Sequence, residues 1–307
     1  MPKPREVLPG RTYMITRRCT QRQFLMRPDP ETNNAFIYCL AIAAERAGVQ
    51  VIFTAAQSNH HHTGIYDAKG TYPQFIEHFH KLYAKAMNSL RGRWENFWSS
   101  EQTSVVRLVD PGDVFDKMVY ALTNPVKDDL VAAVKEWPGV NSFDAMVTGQ
   151  PLTAHRPAHF FRDDGPMPEM VTLTIVRPVE LADMSDEDYR TMLTTRVQDA
   201  ESDAAYKRYA SGIGVFGRQR VLDQDWRDSP ASHAPRRNLD PKVAAKNKWS
   251  RIETLLRNKL FHVAYTQSLN AFKSGVKDVL FPAGTYWLRR FAAAVCEPWP
   301  DGAPAVA

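Results

Sequence analysis

The chain has 307 residues, 44% hydrophobic and 11% aromatic, enough apolar surface for one large domain or two ordinary ones. Its net charge of +5 suits nucleic acid, anionic lipid or an acidic partner and selects none of them. Cys19, Cys39 and Cys296 make neither a disulfide framework nor a CxxC zinc pattern, and no apolar run nears the ~18 residues of a membrane span, so a soluble, cytoplasmic protein is expected.

Residues 11–19 alternate Tyr13 and Ile15 with Thr12 and Thr16, a strand pattern that ends in Arg17 and Arg18. Residues 30–48 place apolar side chains at helical spacing and stop at Gly48. Residues 49–56 and 61–68 read as strands, with only Gln57, Ser58 and Asn59 between their cores, so they form a hairpin or lie side by side. In 71–98, Phe75, Phe79, Leu82, Ala86 and Leu90 mark one helical face. Residues 103–110 read as a further strand, and 111–134 as a helix with Pro111 and Asp113 near its start. The order is β-α-β-β-α-β-α, whose first six elements predict a ferredoxin-like split βαβ: an antiparallel sheet with helices on one face, in the α+β class. The composition shifts near 144, so the chain divides into 1–143 and a mainly helical C-terminal extension, 144–307. Within the extension, 171–178 reads as a strand, 185–210 and the basic 242–276 as helices, and 227–241 as an exposed loop.

Three adjacent histidines, His60, His61 and His62, stand at the start of the strand read over 61–68. Side chains alternate along a strand, so His60 and His62 share one face and His61 looks the other way. Two imidazoles two positions apart on one face suit a shared divalent metal; an exposed polar edge is the plainer reading. His78 and His80 have the same spelling on a helix, where positions two apart do not share a face; both are expected at the helix surface. Tyr120 and Asn124 are four apart on a helix, one turn apart on one face, a phenol nucleophile and an amide oxygen or simply a packing residue and a stop before Pro125. Basic and aromatic residues interleave in two places: Arg17, Arg18 and Arg22, then Arg91, Arg93 and Trp94 with Phe97 and Trp98. Cations for phosphates and rings for unpaired bases make a nucleic-acid surface, although a solvated helix end over an aromatic core accounts for each residue equally well. Gly212–Gly217 spells GxGxxG but follows a helical segment, which argues against a dinucleotide site. Arg236 and Arg237 lie in the expected loop, within reach of DNA.

The ordered segments 16–24, 58–65, 90–98 and 119–143 together resemble the REP-associated tyrosine transposases, within the single-tyrosine HUH transposases. That family reads His-hydrophobe-His on a strand, a Lys/Arg-Gly-Arg helix, then Tyr-Ile-x-x-Asn-Pro-Val-Lys. The resemblance spans about residues 10–143; it departs at His61, where the family has an apolar residue, and at Ala121 in place of Ile. It implies that Tyr120 is the nucleophile and that His60, His62 and Asn124 hold a divalent metal, Mg²⁺ or Mn²⁺. It implies a strand transferase that nicks and rejoins single-stranded or hairpin DNA of palindromic repeats through a 5′-phosphotyrosine, as a monomer or a homodimer, in a bacterial cytoplasm and on the nucleoid when DNA is bound. The alternative is a DNA-binding protein that recognises such repeats without cutting.

Overall fold

A computed structural model describes residues 4–232 and 241–300. Arg236 and Arg237 fall outside the described residues. Four strands, β1 (Arg11–Arg18), β2 (Gln50–Ala56), β3 (His60–Asp67) and β4 (Ser104–Leu108), lie in the order β2-β3-β1-β4, every neighbour antiparallel. Two helices connect them, α1 (Pro30–Ala47) and α2 (Tyr72–Leu90). The α1 start is fixed by Asp29, whose carboxylate accepts from the Thr32 N–H at 2.7 Å, with Pro30 at the first position. Its end is Gly48, in the left-handed region at φ 66°.

The period-two pleat gives the sheet two different faces. Tyr13, Ile15, Val51, Ile65 and Val105 pack beneath α1 and α2. Met14, Phe53, Val106 and Leu108 point the other way and pack against α3 (Pro111–Leu122). The expectation of helices on one face therefore holds for α1 and α2 alone, because those strand residues are apolar on both sides and each side needs a cover. Alternation breaks once, in β2. Val51 pairs with Ile65 and Phe53 with Gly64, leaving Ile52 as the extra residue of a bulge. The Phe53 ring lies directly over Gly64, where a Cβ would sit 2.1 Å from its Cε1.

The helix expected over 111–134 is broken. The α3 segment starts with a capping box between Asp110 and Asp113 and stops at Leu122. Thr123 intervenes, its hydroxyl donating to the Val119 carbonyl at 2.7 Å, and α4 (Asn124–Lys127) follows. Pro125 has no N–H to continue the ladder and crowds the preceding turn, which explains the break.

Beyond α5 (Phe143–Thr148), the extension opens with a hairpin, β5 (Leu152–His155) against β6 (Met170–Leu173), seated on α1. Asn34 bonds both backbone groups of His155, and the Tyr38 hydroxyl donates to Pro168 at 2.6 Å. Then come α6 (Asp186–Ser211), α7 (Arg218–Asp223), β7 (Val243–Ala244), α8 (Lys248–Lys273) and α9 (Trp287–Phe291). Tyr189, Leu193, Val197 and Ala204 of α6 join the core beneath α3. The wholly antiparallel sheet of the sequence reading is corrected: β7 adds a fifth strand parallel to β4, because the long extension returns to the open β4 edge.

His80 is also corrected, from helix surface to core. It lies on the buried stripe of α2 with Phe79 and Tyr83, its Nε2 2.9 Å from that of His61. Phe97 and Trp98 close the same cluster, and the Trp98 indole donates to the His80 carbonyl. His78 is partly exposed.

Candidate active site and nucleic-acid cleft

Along the α3 face of the sheet the floor turns from apolar to polar. Met14, Phe53 and Val106 lie under α3; one step further on are Thr16, His60, His62 and Ser104. Helix α3 ends above this point, and the break at Thr123 aims Asn124 down at the histidines. Its Oδ1 is 3.2 Å from His60 Nε2 and 3.1 Å from His62 Nε2.

The orientation of each group follows from its other partners. Asn124 donates from Nδ2 to Asp128 Oδ2 at 3.1 Å, which turns Oδ1 toward the imidazoles. Asn59 donates to the Arg22 carbonyl, leaving its Oδ1 to accept from His60 Nδ1 at 2.8 Å. The His60 proton therefore sits on Nδ1, and its Nε2 turns a bare lone pair on the Asn124 oxygen, itself an acceptor. His62 Nδ1 is held by the Thr16 hydroxyl at 2.8 Å. Burial holds both imidazoles well below their usual range, His60 at about 4, where the Asn124 contact opposes the shift and Arg18 adds to it, and His62 at about 3, with His60 adding to the shift. At neutral pH both are uncharged and able to ligate. His60 Nε2 and Asn124 Oδ1, two acceptors 3.2 Å apart, repel unless a cation sits between them; His62 Nε2, 3.1 Å from the same oxygen, accepts or donates according to the direction of the Thr16 bond. Ligands about 2.1 Å from a shared centre and roughly 90–100° apart lie about 3.0–3.2 Å from each other. The two distances to Asn124 Oδ1 fall in that range. No group of three or more His, Cys, Asp or Glu gathers as metal ligands among the described residues.

Tyr120 stands beside this triangle, its ring 5.5 Å from that of His62, and is 40% exposed. Burial, then the Asp128 carboxylate, raises its phenol above the ordinary range. The ammonium groups of Lys127 and Lys117 lie 5.4 and 5.5 Å from the ring.

All four line a cleft of about 1420 Å³. Arg17, Arg18 and Arg22 line it too. Arg18 is exposed; Arg17 is held by Thr103 and the Ser99 carbonyl, and Arg22 by the Ser232 hydroxyl at 3.1 Å. Arg91 is elsewhere: its guanidinium donates to Asp29 at 2.8 Å and to Thr32 at 2.9 Å, tying the end of α2 to the start of α1. Arg93 reaches Gln23 at 3.3 Å, and Trp94 is almost fully exposed, outside the cleft lining. Sequence reasoning missed Thr16, Asn59 and Asp128, which orient the ligating atoms. Only Asp128 left a signal, an Asn-to-Asp spacing of four after a helix start. It also missed the cleft's far wall, residues 214–216 and 227–232 of the extension. Gly212–Gly217 belongs to that wall: Gly212 ends α6 and Gly217 starts α7, with no strand before them.

No family profile matches the sequence, and no curated protein does. Among solved structures, the chain is similar to a REP-associated tyrosine transposase bound to a REP hairpin, at 16% identity and a TM-score of 0.41, over 48% of this chain and 86% of that one. It is also similar to a protein of Deinococcus radiodurans R1 assigned as a transposase, at 15% identity and a TM-score of 0.27, over 34% of this chain and 85% of that one. No described helix is long and apolar enough to cross a membrane.

Proposed function

We propose that this protein nicks and rejoins a single DNA strand through Tyr120. One observation carries the reading: three lone-pair donors, His60 Nε2, His62 Nε2 and Asn124 Oδ1, converge beside an exposed phenol in a cleft rimmed by arginines. The β2-β3-β1-β4 order supports it as the arrangement of a ferredoxin-like split βαβ sheet. His60, His62 and Asn124 would hold the metal, Mn²⁺ suiting imidazole better than Mg²⁺. When bound, that ion supplies Lewis-acid polarisation of the scissile phosphate.

The chain's own residues do the rest. Arg18 and Arg22 take flanking phosphates and fix the strand. The Tyr120 oxygen forms a bond to phosphorus as the P–O3′ bond breaks, leaving a 5′-phosphotyrosine and a 3′-OH. The proton that Tyr120 loses is matched by the one the 3′ oxygen gains. Lys117 and Lys127 stabilise the phenolate during attack. The ester bond is kept in the protein link, so rejoining needs no added energy source.

A non-cleaving DNA-binding protein is the second reading, and the Tyr120 proton, held by burial and Asp128, is the observation that favours it. A labelled hairpin oligonucleotide incubated with Mn²⁺ separates the two. The strand-transfer reading predicts an adduct that survives SDS, absent in Tyr120→Phe and lost in His60→Ala and His62→Ala while binding persists. Binding by the wild-type protein with no adduct would establish the second reading.

A further inference from the structure

The far wall of the cleft is a strap, residues 212–232, pinned at both flanks. At one end the Phe216 and Gly217 N–H groups donate to the Asp129 and Leu130 carbonyls at 2.7 and 2.8 Å, just past α4. In the middle Arg27 donates to the Leu222 carbonyl at 3.1 Å. At the other end the Phe24 N–H donates to Asp228 at 2.8 Å, beside the turn that follows β1. The backbone is held, while several side chains are left outward. Phe216 is 38% exposed, and the Arg220 guanidinium lies 5.8 Å from its ring. Arg227 lies 4.2 Å over the Trp226 ring, which Arg93 also approaches at 5.8 Å. Arg220 and Arg227 are both exposed, and Arg227 makes an exposed contact to Asp225 at 3.5 Å. Two of the cleft's carboxylates are engaged elsewhere: Asp128 accepts from Asn124, and Asp129 from Arg208.

A ring face and two exposed guanidinium groups, held on a fixed backbone across an open cleft from Arg18 and Tyr120, form a stacking-and-phosphate surface. We propose that the strap is a single-strand-binding wall: Phe216 stacks an unpaired base, and Arg220 and Arg227 take phosphates of the strand that passes Tyr120. This rests on the strand-transfer reading and adds to it that the extension grips the substrate. A duplex has its base faces covered and cannot use Phe216, so the wall favours unpaired nucleic acid.

The test uses the full chain, a fluorescent single-stranded oligonucleotide and its blunt duplex, with chelator present so that binding is read without cleavage. Arg220→Glu/Arg227→Glu weakens single-strand binding by about tenfold or more and lowers the salt slope by about 1.4. Phe216→Ala weakens single-strand binding and leaves duplex binding unchanged. Lys81→Glu/Lys85→Glu, the same charge change on exposed α2 positions beneath the other sheet face, serves as the control. Equal affinities for the strap and control variants, all with wild-type thermal midpoints, would overturn the proposal. The adduct assay at saturating oligonucleotide keeps the two ideas apart. An unaffected strap variant with a Tyr120-dependent adduct defeats the strap alone. Strap-dependent binding without an adduct defeats strand transfer alone. A wild-type protein that binds no oligonucleotide defeats both.

Discussion

Three adjacent histidines have two unlike fates. His60 and His62 end as neutral donors in a cleft; His61 is sealed beneath α1 and α2 against His80, Phe36 and Phe79. The shared face of His60 and His62 was legible, because a strand has a fixed period of two. The burial of His80 was also within reach of the sequence. Comparing His78 with His80 hid what comparing each with Phe75, Phe79 and Tyr83 displays, that His80 continues the apolar stripe and His78 does not. Burial, with Arg17 nearby, pushes His80 well below its usual range, and burial together with the neighbouring imidazoles does the same to His61. Above pH 6.5 these rings are neutral both folded and unfolded. As the pH falls below that, the unfolded chain takes up protons that the folded core refuses. Stability therefore drops with acid, by up to ~1.4 kcal/mol per pH unit for each such ring. Urea midpoints of the metal-free protein should fall from pH 7.5 to pH 5.5, with a shallower fall in His80→Gln. An unchanged midpoint would mean that the pair is hydrated or already charged.

Between elements, the break after α3 and the clamp between α1 and α2 matter most. The break falls at Thr123, and Asn124, the first residue of α4, meets the histidines. Pro125 announced a stop, but where the next residue points depends on the sheet beneath it, which no local pattern contains. Arg91 teaches the converse. As part of a basic-aromatic run it reads as a DNA contact, and the fold uses it as a strut. Burial pushes the Asp29 carboxyl up, but hydrogen bonds from Thr32, Arg91 and Arg27 outweigh that and hold it below the usual range. Removing the cation leaves a largely buried carboxylate short of a partner. Arg91→Ala should cost about 3 kcal/mol in chemical denaturation, with little change in oligonucleotide affinity. The opposite pattern, weaker binding at full stability, would return Arg91 to the nucleic-acid surface.

For the molecule as a whole, the extension is a working part of both core and cleft. The 143/144 division falls at the first residue of α5. Beyond it, α6 packs Tyr189 against Met118 and pairs Arg196 with Asp116 at 3.0 Å. Its buried positions, 189, 193, 197, 204 and 208, recur at intervals of four or seven, one or two helical turns, which the sequence shows. The partner face is what the sequence withholds, since apolar periodicity names a buried side without naming its cover. Residues 1–148 alone would leave the outer side of α3, including Phe115 and Val119, to water. That fragment should unfold at a lower temperature than the full chain and bind a hydrophobic dye; a cooperative transition at the full-length midpoint would mark 1–148 as self-sufficient.

The bulge in β2 acts as a change of reading frame. Without the bulge, Ile52 would pair with Gly64, and strict alternation would put Thr54 beside His62 and turn Ala55 into the core. With it, Ala55 stands opposite His62, and the Thr54 hydroxyl turns inward to meet Thr63 at 3.0 Å. A methyl group next to the imidazole offers no competing hydrogen bond, so His62 Nδ1 is left to Thr16 alone. The bulge at Ile52, two positions before Thr54 and away from the cleft, thus decides which side chains make the cleft's floor.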